Sequence, residues 1–386
     1  MKICAIICEF NPFHNGHGYL LKRARELSGC ERILCVMSGN FTQRGDIAVA
    51  DKFTRARHAI EGGADCVVEL PASFAVAPAE IFASGAIKLI SSIPQVSALC
   101  FGCETADKTN LFKAAEVLCE ESQSFKEALK SGLNNGNSYI KSYFNAFEAC
   151  GGDSKFISKP NNILAIEYIK AVKRCGKDIN VIPIGRVGSG YNDEGIKENY
   201  SSASAIRKNF GSPLIKDNVP PFVYRDLKNF SAETEKFEFA LALELSRTDS
   251  NALKGVYGCG EGLENALTNG DFAETYNQIL ARLTSKRYSS SRIKRILCAN
   301  FLRLYARDCA EYLKNDLYFT PLAVKNEACN DIMSALGSSG LPVITAGSNL
   351  LKLNETALKC KKSDDFAHAQ WCKITGKNIK NRLQIV

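Results

Sequence analysis

Residues 2–29, KICAIICEFNPFHNGHGYLLKRARELSG, decide the fold, because they read as a buried strand followed directly by a helix. The apolar run at residues 3–8 is typical of a strand covered on both faces in a parallel sheet. Pro12 prevents the strand from continuing, and Asn11 or Asn15 is predicted to cap the helix. The turn therefore lies at the carboxyl end of a strand, where open α/β sheets bind ligands.

Two histidines in this turn indicate a phosphoryl-transfer site. His14 and His17 are two of only four histidines in the chain, and their spacing places both rings on one face of the first helical turn. Gly16, which has no side chain, lets a phosphate approach the exposed backbone N–H groups. Ring N–H donors that are fixed in advance stabilise the charge that develops on a transferring phosphoryl group. A pair of surface or metal-ligating histidines is the simpler alternative.

Polar residues recur where later strands are predicted to end, and therefore at the same edge of the sheet. The predicted strands are residues 31–38, 64–70, 96–101 and 178–184. Gly102 follows one strand and can admit a nucleotide closely, and Arg186 follows another and can neutralise phosphate. Gln43 and Arg44, in the loop after the second strand, are expected either to reach a phosphate or acyl substrate or to be solvated.

The next helix carries charged residues close to that loop. Asp51 is expected to cap this helix. Lys52 and Arg55 are three residues apart, so one of them is predicted to bind phosphate. Arg57 is interpreted as surface charge, and His58 as a helix-surface or packing residue.

Two later segments complete the candidate site. Residues 111–151 have helical spacing and are interpreted as an insertion, after which residues 159–164 open a helix. Of Asn161 and Asn162, one is expected to cap that helix and the other to project toward a ligand, in either order. In the segment SSASAIR at 201–207, Ser202 and Ser204 lie at a helix start and Arg207 one turn on, which suits the β and γ phosphates of a nucleotide. A simple capping segment is the alternative.

The motif FNPFHNGH at residues 10–17 resembles the His-x-Gly-His signature of the nucleotidyltransferase superfamily. Residues 201–207 resemble its second signature, Ile-Ser-Ser-Thr-x-Ile-Arg, with Ser201, Ala203 and Ser204 in place of isoleucine, the second serine and threonine. The wider runs CEFNPFHNGHGYLLKRARE and VMSGNFTQRGDIAVADKFTRARHAIEGGADCVVELP closely resemble the bacterial tRNA(Met) cytidine acetate ligase family. The likeness covers most of the chain.

This resemblance implies an α/β fold, with a Rossmann-like nucleotidyltransferase parallel sheet, a helical insertion at about 105–160 and a mostly α-helical C-terminal domain. It implies that ATP, with Mg²⁺, and acetate form acetyl-adenylate, and that the acetyl group passes to N4 of the wobble cytidine of elongator tRNA(Met). It assigns catalysis to His14, His17, Ser202 and Arg207. It assigns ATP binding to Ile7, Cys8, Glu9, Phe10, Asn11, Pro12, Phe13, His14, Asn15, Gly16, His17, Gly18, Tyr19, Leu20, Gly102, Asn161, Asn162 and Arg186. No protein-bound metal site and no protein partner are expected.

The totals describe an ordinary globular chain. Of 386 residues, 45% are hydrophobic and 23% charged, which excludes a disordered protein. The sixteen cysteines include one Cys-x-x-C pair, Cys100 and Cys103, and no second pair at zinc-site spacing. This usage is typical of a reducing cytosol, where cysteine acts as a small hydrophobe. Without a signal pattern or a membrane-length apolar run, we expect a cytoplasmic protein.

Basic residues are concentrated in one segment. The net charge is +8, and residues 281–300 carry six basic side chains and no acidic one. This basic stripe contains Lys286, Arg287, Arg292, Lys294 and Arg295, and begins in a Ser-rich turn that enters a helix. It is predicted to bind the tRNA backbone, and a solvated helix face is the alternative.

The prolines at 220 and 221 are expected to separate a catalytic domain, residues 1–218, from a candidate tRNA-binding domain, residues 219–386. Helical spacing is found at 233–246, 263–268, 272–280 and 289–313, and a short strand is predicted at 343–345. Two other functions are compatible with the motifs. A small-molecule adenylyl- or cytidylyltransferase would have no use for the basic stripe, and a non-catalytic, nucleotide-gated RNA-binding protein would release no pyrophosphate.

Overall fold

In a computed structural model that describes residues 1–137, 139–188, 199–227, 230 and 233–386, a seven-stranded sheet lies at the centre of the chain. The strands are β1 (Ile3–Cys8), β2 (Arg32–Ser38), β3 (Cys66–Leu70), β4 (Val96–Cys103), β5 (Asn180–Gly185), β6 (Pro321–Val324) and β7 (Gln384–Ile385). Their order across the sheet is β5-β4-β1-β2-β3-β6-β7. The first five strands run parallel to one another, which confirms the predicted α/β class.

The chain reverses its direction of travel across the sheet at β1. From β1 it moves outward through β2 to β3, and then returns to place β4 and β5 on the other side of β1. The carboxyl ends of β1 and β4 therefore form a topological switch point, where such sheets open a crevice for ligands. The first histidine turn follows β1 directly, and Gly102 lies in β4.

Helices cover both faces of the sheet. The first nine are α1 (Asn15–Ser28), α2 (Lys52–Glu61), α3 (Ala72–Ala75), α4 (Ala79–Ser92), α5 (Lys108–Glu120), α6 (Gln123–Asn134), α7 (Tyr139–Ala149), α8 (Ser154–Ile157) and α9 (Pro160–Cys175). Side chains at alternate positions of β1 pack in two different cores, with α4 and α9 on one face and α1 and α2 on the other. This confirms the prediction that β1 is buried on both sides. Helices α5–α8 form the predicted insertion between β4 and β5.

The later helices pack beside this sheet, and several of them surround a third core that includes Leu241, Ile296 and Trp371. They are α10 (Ala203–Lys208), α11 (Pro221–Asp226), α12 (Thr234–Leu245), α13 (Ser250–Lys254), α14 (Leu263–Thr268), α15 (Tyr276–Leu283), α16 (Ser290–Phe301), α17 (Ala306–Lys314), α18 (Cys329–Gly337) and α19 (Glu355–Thr375). Short 3-10 helices occupy Pro213–Asp217, Asn326–Ala328 and Gly347–Lys352. The mostly helical character predicted for this half is confirmed.

Several predicted details of this half are wrong. The spacing at 289–313 forms two helices, α16 and α17, because the chain breaks at Arg303, whose φ is 56°. The predicted strand at 343–345 forms only an isolated bridge between Val343 and Phe319. The strands that do form, β6 and β7, extend the N-terminal sheet, with β6 antiparallel to β3. The division at residue 218 stays a prediction, and the sheet itself crosses it.

The cysteines are buried packing residues more often than surface ones, as predicted. Cys100 lies 3.4 Å, sulfur to sulfur, from Cys4 on the neighbouring strand, whereas the Cys103 thiol donates to the Ile184 carbonyl. The Cys-x-x-C pair therefore does not converge on one site. Within the described ranges, no helix is both long enough and apolar enough to cross a membrane.

Candidate active site

The rings of His14 and His17 both accept hydrogen bonds from the backbone at the start of α1. His14 is the N-cap of this helix, and its Nδ1 accepts the Gly16 N–H at 3.1 Å. His17 Nδ1 in turn accepts the His14 N–H at 3.3 Å, and the two rings stack with their centroids 3.6 Å apart. Gly16 is required here, because a Cβ at this position would lie 2.9 Å from His14 Cε1.

The predicted cap at Asn11 or Asn15 is wrong, because both amides are engaged elsewhere. The Asn11 side chain accepts the Val49 N–H at 2.9 Å, and the Asn15 amide donates to the Asp217 carbonyl at 2.8 Å. These bonds fix the loops on either side of the turn. The capping position is thereby left to His14.

Both imidazoles are neutral donors. Burial, together with the charges of Arg186 and Arg207, lowers the pKa of His14 to about 3. Burial, followed by His14 and Arg186, lowers the pKa of His17 well below its usual value. A ring nitrogen that accepts a hydrogen bond carries no proton, so each neutral ring keeps its hydrogen on Nε2. Two Nε2–H donors are thus available to a ligand beside β1.

The second motif is brought to the same turn. Ser202 caps α10 by accepting the Ala205 N–H at 3.1 Å, so the hydroxyl caps and also lines the cleft. Arg207 donates to the Asn11 carbonyl at 2.6 Å and to Ser204 Oγ at 3.3 Å. The two signatures, nearly two hundred residues apart in the chain, are therefore joined by a direct hydrogen bond from Arg207 to Asn11.

Sequence reasoning missed a buried asparagine that connects these two motifs by hydrogen bonds. Asn218 accepts the Ser201 N–H on its side-chain oxygen at 2.6 Å, and its backbone carbonyl accepts the Asn15 N–H at 3.0 Å. It is fully buried. A polar residue without a motif gives no sequence signal, so its role becomes visible only in the folded chain.

The structure distinguishes the two asparagines of α9. Asn162 is fully buried, accepts the Thr105 N–H and donates to the Phe156 carbonyl at 3.0 Å, and so does not reach the cleft. Asn161 lines the cleft, and Glu104 accepts its side-chain N–H at 2.7 Å. The Asn161 oxygen has no protein partner among the described residues and can accept from a nucleotide. Asn161, not Asn162, is thus the candidate ATP contact.

Lys52 and Arg55 do not face a phosphate site, so the prediction that one of them binds phosphate is wrong. The Lys52 ammonium is fully buried and donates to both carboxylate oxygens of Glu69, at 2.8 and 2.7 Å. The Arg55 guanidinium, also fully buried, donates to the backbone carbonyls of Glu9, Ser38, Gly39 and Ala50. Arg55 therefore fixes the carboxyl ends of β1 and β2 from beneath.

The other residues of α2 behave as expected. Arg57 pairs with Glu61 and Asp226 at the surface, and His58 is a buried packing residue that contacts Asp226 at 3.0 Å. The loop after β2 does reach the cleft, since Thr42, Gln43 and Arg44 all line it.

The residues at these strand ends enclose a cleft of about 200 Å³. Of the residues predicted to bind ATP or act in catalysis, it is lined by Ile7, Cys8, Glu9, Phe10, Asn11, His14, His17, Leu20, Gly102, Asn161, Arg186, Ser202 and Arg207. An adjoining recess adds Gly16 and Tyr19. Pro12, Phe13, Asn15, Gly18 and Asn162 line neither space. Sequence reasoning missed the apolar lining, Phe82, Phe101, Leu164 and Tyr168.

A second cleft, of about 700 Å³, lies between α4, α5, α7 and α9. Four glutamates line it, Glu80, Glu120, Glu121 and Glu167. With Lys126, Lys170 and Arg174 also present, this lining has no excess of positive charge, whereas the cleft at the histidine turn offers three arginines and one carboxylate to a triphosphate. The smaller cleft is therefore the candidate nucleotide site.

The basic stripe lies next to the loop that lines this cleft. A Cβ on Gly45, whose φ is 77°, would lie 2.6 Å from the Lys294 carbonyl carbon, and Lys294 pairs with Asp46 at 3.6 Å. Helix α16 thus packs directly against the loop of Gln43 and Arg44. A nucleic acid bound along α16 would lie beside the entrance of the cleft.

The five cations of the stripe are not equivalent. Arg292 donates to the Gly258 carbonyl and pairs with Glu261, and Arg287 donates to the Glu261 carbonyl. Lys286 and Arg295 have no hydrogen-bond or ion-pair partner within the described part of the chain. Burial, together with the charge of Arg292, lowers the pKa of Arg295 to about 10. An unpaired, half-buried guanidinium is suited to an anion supplied from outside.

The strand order, the capped histidine pair and the joined serine motif define a nucleotidyl transferase. A family described as HIGH Nucleotidyl Transferase matches residues 1–381. The chain belongs to this family.

Two relatives show which members of this family the chain is similar to. It is 34% identical over 381 residues to the tRNA(Met) cytidine acetate ligase of Acetivibrio thermocellus, covering 94% of this chain and 92% of that protein. It is 36% identical over 386 residues to the ligase of the same name from Clostridium kluyveri, covering 93% and 94%. These matches confirm the resemblance to that ligase family.

Solved structures show the same fold. Thermotoga maritima TmcAL in its apo form superposes with a TM-score of 0.90 at 26% identity, over 100% of both chains. The same protein bound to α-thio ATP superposes with a TM-score of 0.86 at 27% identity, over 99% of this chain and 96% of that one. The predicted nucleotidyltransferase fold is thereby confirmed.

Proposed function

We propose that this chain is an ATP-dependent acetate ligase that acetylates N4 of the wobble cytidine of elongator tRNA(Met). The observation that carries the proposal is the pair of neutral Nε2–H donors at the β1 turn, joined through Asn11 to Arg207. The names of the relatives supply the substrates, and the α-thio ATP bound by Thermotoga maritima TmcAL supports the nucleotide.

In the first step, an acetate oxygen attacks the α-phosphorus of ATP in line, and the bond to the leaving pyrophosphate breaks. No side chain acts as a nucleophile. The histidine Nε2–H groups, Arg186 and Arg207 stabilise the negative charge that develops on the phosphate oxygens. Because the imidazoles are neutral, they act as fixed dipolar donors and transfer no proton.

Mg²⁺ is expected to accompany ATP and not to occupy a site built by the protein. No group of three His, Cys, Asp or Glu side chains that could hold a metal ion occurs among the described residues. The described lining of the cleft has one carboxylate, Glu9, beside Arg44, Arg186 and Arg207, and Mg²⁺ takes oxygen ligands. An Mg²⁺ that entered with ATP would be held by phosphate oxygens and water, and no step here depends on a protein-bound metal.

In the second step, the acetyl group passes from the adenylate to the tRNA. The position of α16 against the loop of Gln43 and Arg44 supports entry of the tRNA along the basic stripe. Lys286 and Arg295 are the cations best placed for its phosphates, since neither has a partner within the described ranges. Phosphate contacts of this kind make binding strongly dependent on salt.

The direct test of the first step is ATP–pyrophosphate exchange, measured with and without acetate. The proposal predicts exchange that depends on acetate and does not need tRNA. A small-molecule transferase would show exchange that is independent of acetate and driven by another acceptor. A non-catalytic RNA-binding protein would show ATP binding and no exchange, and either result would overturn the proposal.

A further inference from the structure

Glu9 is an anomaly in the candidate nucleotide cleft. Of the described residues that line the cleft and its recess, it is the only acidic one, among Arg44, Arg186, Arg207 and the two histidine donors. A carboxylate beside a triphosphate is unfavourable unless it serves another part of the reaction. Such a part exists in the acetyl-transfer step of the proposed function, on which this inference rests.

Only one of the two Glu9 carboxylate oxygens accepts hydrogen bonds from the described residues. Its Oε1 accepts the Gln43 N–H at 2.7 Å and the Ser38 hydroxyl at 3.3 Å. Arg55 fixes the backbone by donating to the Glu9 carbonyl at 2.6 Å. The second oxygen, Oε2, accepts no hydrogen bond from the described residues and is not fully enclosed. The carboxylate is thus oriented in advance, with one oxygen available in the cleft.

Glu9 contacts the loop that packs against the basic stripe. Gln43, which holds Oε1, belongs to the loop that packs through Gly45 against the backbone of Lys294 and Arg295. The histidines and Ser202 lie on α1 and at the start of α10, on the phosphate-binding side of the cleft. Glu9 is therefore connected through Gln43 to the loop that packs on the basic stripe, and it lines the same cleft as the phosphate donors.

The charges around Glu9 come from several elements. Arg207 of α10, Arg44 of the loop and Arg55 of α2 all favour the carboxylate, and Gln43 donates to it. Burial outweighs them, and the pKa of Glu9 is raised above its usual value. Tyr168 of α9 and Cys8 of β1 also face it, and the pKa of each is raised by burial, so both stay neutral. A carboxyl with a raised pKa is a better proton acceptor near neutral pH than an ordinary one.

We propose that Glu9 accepts the proton that the cytidine N4 amine loses during acetyl transfer. N4 attacks the acetyl carbon, and the new N–C bond forms as the bond from that carbon to the adenylate oxygen breaks. The electron pair of the broken bond leaves with AMP. The N4 proton passes to Glu9 Oε2, so atoms and charge balance without a further reactant. Glu9 is then a catalytic residue of the second step and not of the first.

The test separates the two steps. Synthetic acetyl-adenylate and tRNA are given to the wild type and to Glu9→Gln, and acetylcytidine formation is followed in single turnover between pH 5.5 and 8. The glutamine keeps an oxygen that can accept from Gln43 and Ser38 and lacks the basic oxygen. The transfer rate is expected to fall about 10²–10⁴-fold and to lose its rise with pH. Acetate-dependent pyrophosphate exchange, which uses the same cleft, is expected to fall less than the transfer rate does.

Ser38→Ala is the matched control, since it removes one bond to Oε1 and leaves the carboxylate. It is expected to keep the pH-dependent transfer. Equal losses of exchange and transfer in Glu9→Gln, or the same transfer loss in Ser38→Ala, would show that Glu9 only anchors the loop. Wild-type transfer by Glu9→Gln would also overturn this step. Absence of exchange in the wild-type chain would instead overturn the proposed function and this step with it.

Discussion

Nδ1 of His17 accepts a hydrogen bond from the backbone N–H of His14, and Nδ1 of His14 accepts one from the backbone N–H of Gly16, the residue before His17. The first turn of α1 is therefore fixed by the same rings that offer Nε2–H to the cleft. Capping and ligand binding use opposite sides of one imidazole. This relationship allows a substitution to separate the two roles.

His14→Asn should remove the donor and keep the cap, because asparagine is among the best N-cap residues. We expect acetate-dependent exchange to fall at least about 10²-fold, as when one donor to a developing oxyanion is lost. His14→Ala should lose the same activity and also about 1 kcal/mol of stability. Exchange rates and urea unfolding of both variants check this. Wild-type exchange by His14→Asn would contradict the role given to the ring.

The His14→Asn variant also tests whether the pKa of His14 is lowered in the folded protein. Its folded pKa, about 3, lies below the unfolded value near 6.5, so the unfolded chain takes up the proton first as the pH falls. The contribution of His14 is therefore present above pH 6.5 and is lost toward pH 3. Relative to His14→Asn, wild-type stability should decline by up to about 1.4 kcal/mol per pH unit below 6.5. A difference that does not change between pH 7.5 and 5 would show that His14 is not held neutral.

The two asparagines of α9 should behave differently. Asn161→Ala removes an acceptor from the cleft and should raise the KM for ATP roughly fivefold, as expected for about 1 kcal/mol from one hydrogen bond. Asn162→Ala leaves the Thr105 N–H and the Phe156 carbonyl unpaired, and should cost about 1–3 kcal/mol in unfolding free energy. Kinetics and urea unfolding of the pair decide the assignment. The reverse pattern would transfer the ATP contact to Asn162.

The basic stripe should bind tRNA through its unpaired members. The double variant Lys286→Gln, Arg295→Gln should weaken tRNA binding and reduce the slope of log K against log salt by about 1 for each lost phosphate contact. Arg292 and Lys294 are less suitable to test, because they already pair with Glu261 and Asp46. Lys113→Gln, an exposed neutralisation on the insertion helix α5, is the matched control. An equal effect in the control, or none in the double variant, would leave the stripe a solvated face.

Gly45→Ala should disturb the contact between the loop and α16. The left-handed φ of 77° strains alanine, and its Cβ would meet the Lys294 backbone at 2.6 Å. We expect a loss of more than about 1 kcal/mol in stability and a larger loss in tRNA acetylation than in ATP binding. Gly260→Ala, where a Cβ would meet open space, is the control. Unchanged stability of Gly45→Ala would contradict the close packing of the loop on α16.

The sequence predicted the part of the site that local rules govern. A short apolar run ending at Pro12 indicates a buried strand and its end, and parallel strand ends share one edge. These rules therefore place Gly102, Arg186 and the histidine turn together. The spacing of Ser202 and Arg207 similarly indicated a helix start that holds phosphate.

The rest depends on contacts between distant residues. Lys52 and Arg55 have the spacing of a phosphate-binding face, and only the fold shows that Glu69 and four backbone carbonyls already occupy them. His14 became the cap because Val49 and Asp217 engage the two expected asparagines. The strands β6 and β7 are short and pair with residues far away in sequence, so no local pattern indicates them.

The most direct test of the proposed activity is isotopic. Elongator tRNA(Met) would be incubated with the protein, ATP and ¹³C-labelled acetate, and its nucleosides analysed by mass spectrometry. We predict labelled N4-acetylcytidine at the wobble position, formed only when ATP and acetate are both present and accompanied by AMP and pyrophosphate. Unlabelled tRNA after acetate-dependent exchange had been observed would contradict the tRNA substrate, and labelling without ATP would contradict the adenylate.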